Sequence, residues 1–270
     1  MAANRNLFWL KALGNRELPG QIDLGGTRYR LAATFKHDFF AATGLYEIAE
    51  GNPAPCEAIE PCRKVVLKLG RTADLFGAPM GGVGRWLTQR EARAYAALGN
   101  IEGVPRFLGR WGDNGFVHEY VEGHPLRRYE IVNDEFFPRL AALLGAVHAH
   151  DMAYVDLEKR ENILVGDDGK PYLIDFQISF ALPAGRWKRS RLARFVLRRL
   201  QESDRYHLLK HHRRHRPDQL TAEQLAASRR RPFYIDLHRY LFRPLTLLRR
   251  RTLKRWHGGD WKPREGGGAA

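Results

Sequence analysis

Tyr154-Val-Asp-Leu-Glu-Lys-Arg-Glu-Asn-Ile-Leu-Val165, followed after a short turn by Tyr172-Leu-Ile-Asp-Phe-Gln177, is the stretch that decides the fold. Apolar runs at 163–165 and 172–174 flank Gly166-Asp-Asp-Gly-Lys170, a composition that predicts a β-hairpin. Antiparallel pairing across that turn sets Asn162 roughly opposite Asp175, with Asp156 a few residues upstream. Hard oxygen ligands converge there with few soft ones near, which suits Mg²⁺ held partly by a phosphate substrate. Such a corner serves phosphoryl transfer.

The upstream sequence supplies further parts in order. Val65-Val-Leu-Lys68 reads as a short apolar strand ending in a lysine, a form that sets a lysine against nucleotide phosphates. A helix is expected over Trp86 to Leu98. Leu87, Ala94, Tyr95 and Leu98 share one face of it by 3.6-residue periodicity, and Glu91 lies on that face. An inward carboxylate needs a cationic partner, because an unpaired buried charge is costly. Lys68 is the natural candidate. Val117-His-Glu-Tyr-Val-Glu-Gly123 reads as a strand running into a linker, where the backbone around Glu119 and Val121 can grip an adenine.

The set Lys68, Glu91, Asp156, Asn162 and Asp175, in this order and spacing, resembles the protein kinase-like superfamily over roughly residues 25–180. Ala146-Val-His148, at a helix end eight residues before Asp156, is similar to that family's approach to its catalytic loop. The resemblance implies an α+β, bilobal protein kinase-like fold: a small antiparallel β-rich N-lobe over 25–121 and a mainly helical C-lobe over 122–256. Residues 1–24 read as an N-terminal extension. The implied cofactors are ATP and Mg²⁺. Lys68, held by Glu91, would orient phosphates; Asp175 and Asn162 would hold metal; Asp156 would take the acceptor's proton.

The departures are informative. The usual H-R-D is Tyr154-Val155-Asp156, which removes the docking arginine for an activation-loop phosphate. Asn162 falls six residues after Asp156 where the family has five, so the loop must bulge, and Glu161 competes for the metal role. Glu158 stands where a lysine is usual, leaving Lys159 as the candidate contact to the γ-phosphate. D-F-G becomes Asp175-Phe176-Gln177, without the glycine's backbone freedom. No A-P-E motif follows, so a peptide acceptor is disfavoured. The pattern is closer to the RIO and bacterial lipopolysaccharide kinase branches. In place of a Gly-rich loop stands Phe35-Lys-His-Asp-Phe-Phe-Ala-Ala-Thr-Gly-Leu-Tyr46, whose backbone N–H groups, Thr43, Gly44 and Lys36 are the candidates to cover phosphates.

At 270 residues the chain can bury a sizeable core in one bilobal unit. Its N-terminus lacks the long apolar region of a signal peptide, and no apolar run reaches the ~18 residues of a membrane span. Cys56 and Cys62 are too few for a disulfide framework. The chain reads as cytoplasmic, with a peripheral place on the cytoplasmic membrane face.

Charge is divided sharply. Residues 1–180 hold 21 Lys+Arg against 23 Asp+Glu, whereas residues 181–270 hold 24 against 7. The overall +15 therefore belongs to the C-terminal third. A helix is expected over Arg186 to Gln201, with Leu192, Phe195, Val196 and Leu200 along its apolar side; Tyr240 to Trp256 repeats that composition. Core packing of both helices is the first reading, but one-signed charge over 186–256 calls for an anionic partner as well. A membrane lipid or glycolipid is favoured over nucleic acid, for which no motif is present. His207, His211 and His215 recur every four residues with metal-ligand spacing, yet the surrounding cations disfavour a dication, and a solvated or anion-facing basic helix is expected. Residues 257–270 read as a disordered Gly-rich tail.

The expected activity is ATP- and Mg²⁺-dependent transfer of a phosphoryl group to a hydroxyl, by analogy that of a lipid-linked saccharide. Two alternatives stay open. One is a pseudokinase that binds or scaffolds, and the other a RIO-like ATPase associated with RNA or the ribosome.

Overall fold

The computed structural model describes residues 10–49, 62–75, 77–182, 185 and 190–229. By contacts the chain divides after Gln219 into two units. The first is mixed α+β, built on a curled antiparallel sheet of order β1-β2-β3-β4-β6-β5. Its strands are β1 (Gln21–Leu24), β2 (Thr27–His37), β3 (Ala41–Ile48), β4 (Lys64–Gly70), β5 (Phe107–Trp111) and β6 (Gly115–Glu119). Of the second unit, the described part holds helix α4 (Ala222–Arg229), preceded by Thr221, whose Oγ1 accepts the Gln224 N–H.

Strand parity explains how one strand can carry both core and chemistry. In β4, Val65, Leu67 and Leu69 point to one face, into a cluster with Leu13, Leu18, Ile22, Tyr46 and Val117. Alternate residues Val66 and Lys68 point to the other. Residues 13–24, expected as an extension, thus supply a strand and part of this core. Lys68 stands within the strand and not at its end, since β4 continues to Gly70.

Helix α1 (Gly81–Leu98) lies on that second face and begins five residues before the expected Trp86. Two glycines make the approach possible. A Cβ on Gly70 would sit 2.0 Å from Thr88 Oγ1, and one on Gly84 would sit 2.0 Å from the Arg71 carbonyl. The close contact brings Glu91 of α1 over Lys68 of β4.

Helix α2 (Phe136–Ala149) ends next to the short strand β8 (Met152–Ala153). The predicted hairpin forms from β9 (Ile163–Gly166) and β10 (Pro171–Leu173), with β7 (Gly123–Pro125) on its other side. Strand β11 (Phe180–Ala181) returns to pair with β8. The large core of this half joins Tyr95 and Leu98 to Phe136, Phe137, Leu140, Leu144, Tyr154, Ile163 and Phe176.

Helix α3 (Arg191–His215) runs 25 residues, opening on a Ser190 cap that accepts the Ala193 N–H. It ends much later than the expected Gln201, and the expected first residues 186–189 lie outside those described. Its inward face also differs from expectation. Leu197, Asp204, His207, His211 and His215 are buried, while Leu192, Phe195 and Val196 are exposed. The histidines therefore face protein and neither solvent nor an anion. His211 Nε2 donates to the Leu157 carbonyl, and His215 Nδ1 pairs with the Glu130 carbonyl at 2.8 Å. Among the described residues no helix is long and apolar enough to cross a membrane. Tyr240 to Trp256, the Gly-rich tail and Cys56 lie outside the described residues.

Candidate active site

Between the sheet and the hairpin lies a cavity of about 700 Å³. Lys68, Glu91, Thr43, Glu119, Val121, Lys159, Asn162 and Asp175 all line it, as do Lys36 and Glu161. Val66 on the sheet, with Leu164 and Ile174 on the hairpin side, supplies apolar walls, and Phe35 stacks on Tyr120 with 6.0 Å between centroids.

At its inner end Lys68 Nζ donates to Glu91 Oε1 at 2.7 Å and to Asp175 Oδ1 at 2.9 Å. Glu91 is 1 % exposed, so its charge depends on this partner. Burial pushes the Glu91 carboxyl up to about 7 against the pull of Lys68. Burial alone would lower the lysine's pKa, but the Glu91 and Asp175 carboxylates hold it above the ordinary lysine value. Asp175 resists the upward push of burial because Lys68 pulls its carboxyl below the usual range. The outcome is one cation shared by two carboxylates, of which Asp175 stays ionised.

Asp175 is positioned by its backbone. Its φ is +60°, and its N–H donates to the Tyr95 hydroxyl at 3.1 Å. The next residue, Phe176, is fully buried with its ring 5.1 Å from Tyr95 and 5.0 Å from Tyr154. This aromatic column ties α1, Asp175 and the 154–156 loop into one packed body. Leu173 pairs with Ile163, and Ile174 N–H donates to the Asn162 carbonyl. Asn162 thus stands opposite Ile174, one residue short of the expected Asp175.

A second polar group sits beside the first. Asp156 Oδ2 accepts from Lys159 Nζ at 2.7 Å and from Asn162 Nδ2 at 2.9 Å. The extra residue of this loop is taken up by a turn after Asp156 and a 3-10 turn over Arg160–Asn162. Asp156 itself is buried just behind the cavity wall and does not line it. Its neighbour Val155 has φ +71°, a costly conformation for a β-branched residue.

What holds Val155 there is a residue that the sequence reading missed. Asp204 of α3, 0 % exposed, accepts the N–H groups of Tyr154 and Val155, each at 2.8 Å. It also pairs with His148 Nε2, at the end of α2, at 3.0 Å. The signal for Asp204 was weak: one acid on the inward face of an otherwise basic helix.

The 35–46 segment is not an open loop. It consists of the end of β2, a turn at 38–40 and β3. Thr43 pairs with Lys68 and shares its face, whereas Gly44 pairs with Leu67 on the other. A Cβ on Gly44 would meet Leu18 and Leu31, so Gly44 backs onto the sheet core and is removed from the site. The turn's Phe40 and Ala41 N–H groups donate to Asp38 Oδ1, and Asp38 pairs with Lys36 at 2.7 Å.

Among the described residues no group of three or more His, Cys, Asp or Glu side chains is arranged to hold a metal ion. Magnesium has a smaller requirement, because it takes one or two protein ligands and completes its shell with water and phosphate oxygens. Asp175, ionised and facing the cavity, fits that requirement. So does Asn162, whose Nδ2 is committed to Asp156, leaving the amide oxygen as its remaining acceptor. No protein-family model and no curated protein matches the chain.

Proposed function

We propose that this chain is a phosphotransferase of bilobal, protein kinase-like fold that moves the γ-phosphoryl group of ATP to a hydroxyl. One observation carries the reading: Lys68, Glu91 and Asp175 form a single buried ion network in a cavity whose adjoining wall holds Asn162 and Lys159, with Asp156 directly behind. In this chemistry the protein contributes mainly position and electrostatics. Lys68, fixed by Glu91, meets the nucleotide phosphates as a point charge. The 119–121 backbone and the apolar walls formed by Val66, Leu164 and Ile174 accept the base. Asp156, held by Asn162 behind the wall, would reach the acceptor hydroxyl and take its proton once Lys159 leaves it to follow the transferred group. Magnesium, held by Asp175 and Asn162, would neutralise charge developing on the phosphoryl oxygens. The acceptor we favour is a sugar hydroxyl of a lipid-linked saccharide, on the resemblance to lipopolysaccharide kinases and the basic C-terminal third.

Turnover of ATP by the purified protein, with and without a lipopolysaccharide extract, tests this. Asp156→Ala should abolish transfer and leave Mg-ATP affinity nearly intact, whereas Asp175→Ala should lose metal-dependent binding. Full transfer by Asp156→Ala would exclude it as the base. The pseudokinase reading draws on the turn at 38–40, where Asp38 Oδ1 takes the Phe40 and Ala41 N–H groups. Nucleotide binding of equal strength with and without Mg²⁺, and no turnover, would favour it.

A further inference from the structure

Among the described residues, the outward face of α3's first half exposes a run of apolar side chains. Leu192 is 72 % exposed, Phe195 50 % and Val196 38 %. At spacings of three and four residues they form one stripe along the helix. Arg199 continues the stripe one turn on, its guanidinium 5.0 Å from the Phe195 ring centroid and 2.8 Å from Glu202. Arg191, Arg194 and Arg198 stand exposed beside it. The opposite face, with Leu197 in a small cluster with Ala153 and Leu182, is what anchors the helix.

We infer that this stripe docks the protein on a bilayer surface containing anionic lipid. Charge complementarity selects the partner, because four arginines surround the apolar side chains and Glu202 is the one acid of the exposed face from 191 to 203. Arginine stems can lie along acyl chains while their heads meet phosphates. The shape agrees. Three apolar side chains on one convex helix are too few for a stable protein interface, which buries roughly 800 Å² per partner, whereas a bilayer needs no matching contour. A nucleic-acid backbone would use the arginines and give Leu192 and Phe195 nothing to bury against. The inference stands on α3 alone and holds whether or not phosphoryl transfer occurs.

Flotation of the full-length protein, without nucleotide, on phosphatidylcholine vesicles with and without phosphatidylglycerol tests it. The wild type should float with the anionic vesicles and not with the neutral ones. The double variant Leu192→Asp/Phe195→Asp should bind at least about ten-fold more weakly with an unchanged melting temperature. Retention of flotation by the variant, or none by the wild type, would overturn the inference. So would RNA binding at matched salt that the same substitutions abolish. Because no turnover is measured, failure here leaves the phosphotransferase reading untouched.

Discussion

The 154–177 segment and α3 divide polar and apolar residues in opposite ways. In 154–177 the apolar side chains of Tyr154, Leu157, Ile163, Leu173 and Phe176 fill the core, while Asn162 and Asp175 line the cavity with Asp156 behind them. In α3 the polar groups of Asp204, His207, His211 and His215 are buried, and Leu192, Phe195 and Val196 are exposed. The two are halves of one arrangement. A loop held in strained conformations, with Val155 at φ +71°, leaves backbone donors and carbonyls that no strand or helix satisfies. The inward polar side of α3 satisfies them: Asp204 takes the Tyr154 and Val155 N–H groups, and His211 gives its N–H to Leu157. A polar buried helix face is what a loop of this strained shape needs behind it.

The most severe way to break this pairing is Asp204→Ala. It leaves the Tyr154 and Val155 N–H groups and His148 without their acceptor, and should cost about 3–5 kcal/mol, more than the ~1–3 of one stranded group because three lose their partner together. Urea unfolding measures it. A loss below about 1 kcal/mol would mean that the loop holds its shape without α3.

Acid separates the two regions less drastically. Burial lowers the pKa of His118, in the cavity wall, and of His211, on α3, each to about 4. Both are neutral when folded, whereas the unfolded chain binds protons near pH 6.5, so stability should fall as pH drops from about 6.5 toward 4. Each histidine contributes up to about 3 kcal/mol of that fall. His118→Phe should remove its share of the slope and leave that of His211, a split readable from urea midpoints across pH.

Gly84→Ala probes the cavity side alone. Its Cβ would lie 2.0 Å from the Arg71 carbonyl, forcing α1 away from β4 and lengthening the Glu91–Lys68 contact. A destabilisation of about 1–3 kcal/mol is expected from overpacking, together with a larger fractional loss of nucleotide affinity than an exposed substitution gives. The smallest effect belongs to Leu192→Asp/Phe195→Asp. Both side chains face outward, so folding stability should change by less than about 0.5 kcal/mol. A larger loss would place them in the core after all.

The sequence made the cavity legible because its signals are local. The Gly166–Lys170 turn and its flanking apolar runs fix a hairpin register to within one residue, and strand parity aims Lys68 and Val66 together. Gly44 was misread for want of that parity: its pairing with Leu67 turns it to the other face, which the sequence of one strand alone does not reveal. Helix α3 was misread for a different reason. Periodicity assigns apolar residues inward, but here the partners of the inward polar groups are backbone atoms some fifty residues earlier, visible in no local pattern. The extension of α3 through the histidines follows from the same tertiary contacts.

The proposed binding of a magnesium–nucleotide complex in this cavity is decided by calorimetric titration with ATP. The wild type and Asp175→Ala would be compared with Mg²⁺ and with chelator. Mg²⁺ should strengthen binding to the wild type by at least about ten-fold, in keeping with a metal bridging carboxylate and phosphate, and do nothing for the variant. Equal affinity in all four titrations, or no binding in any, would contradict it.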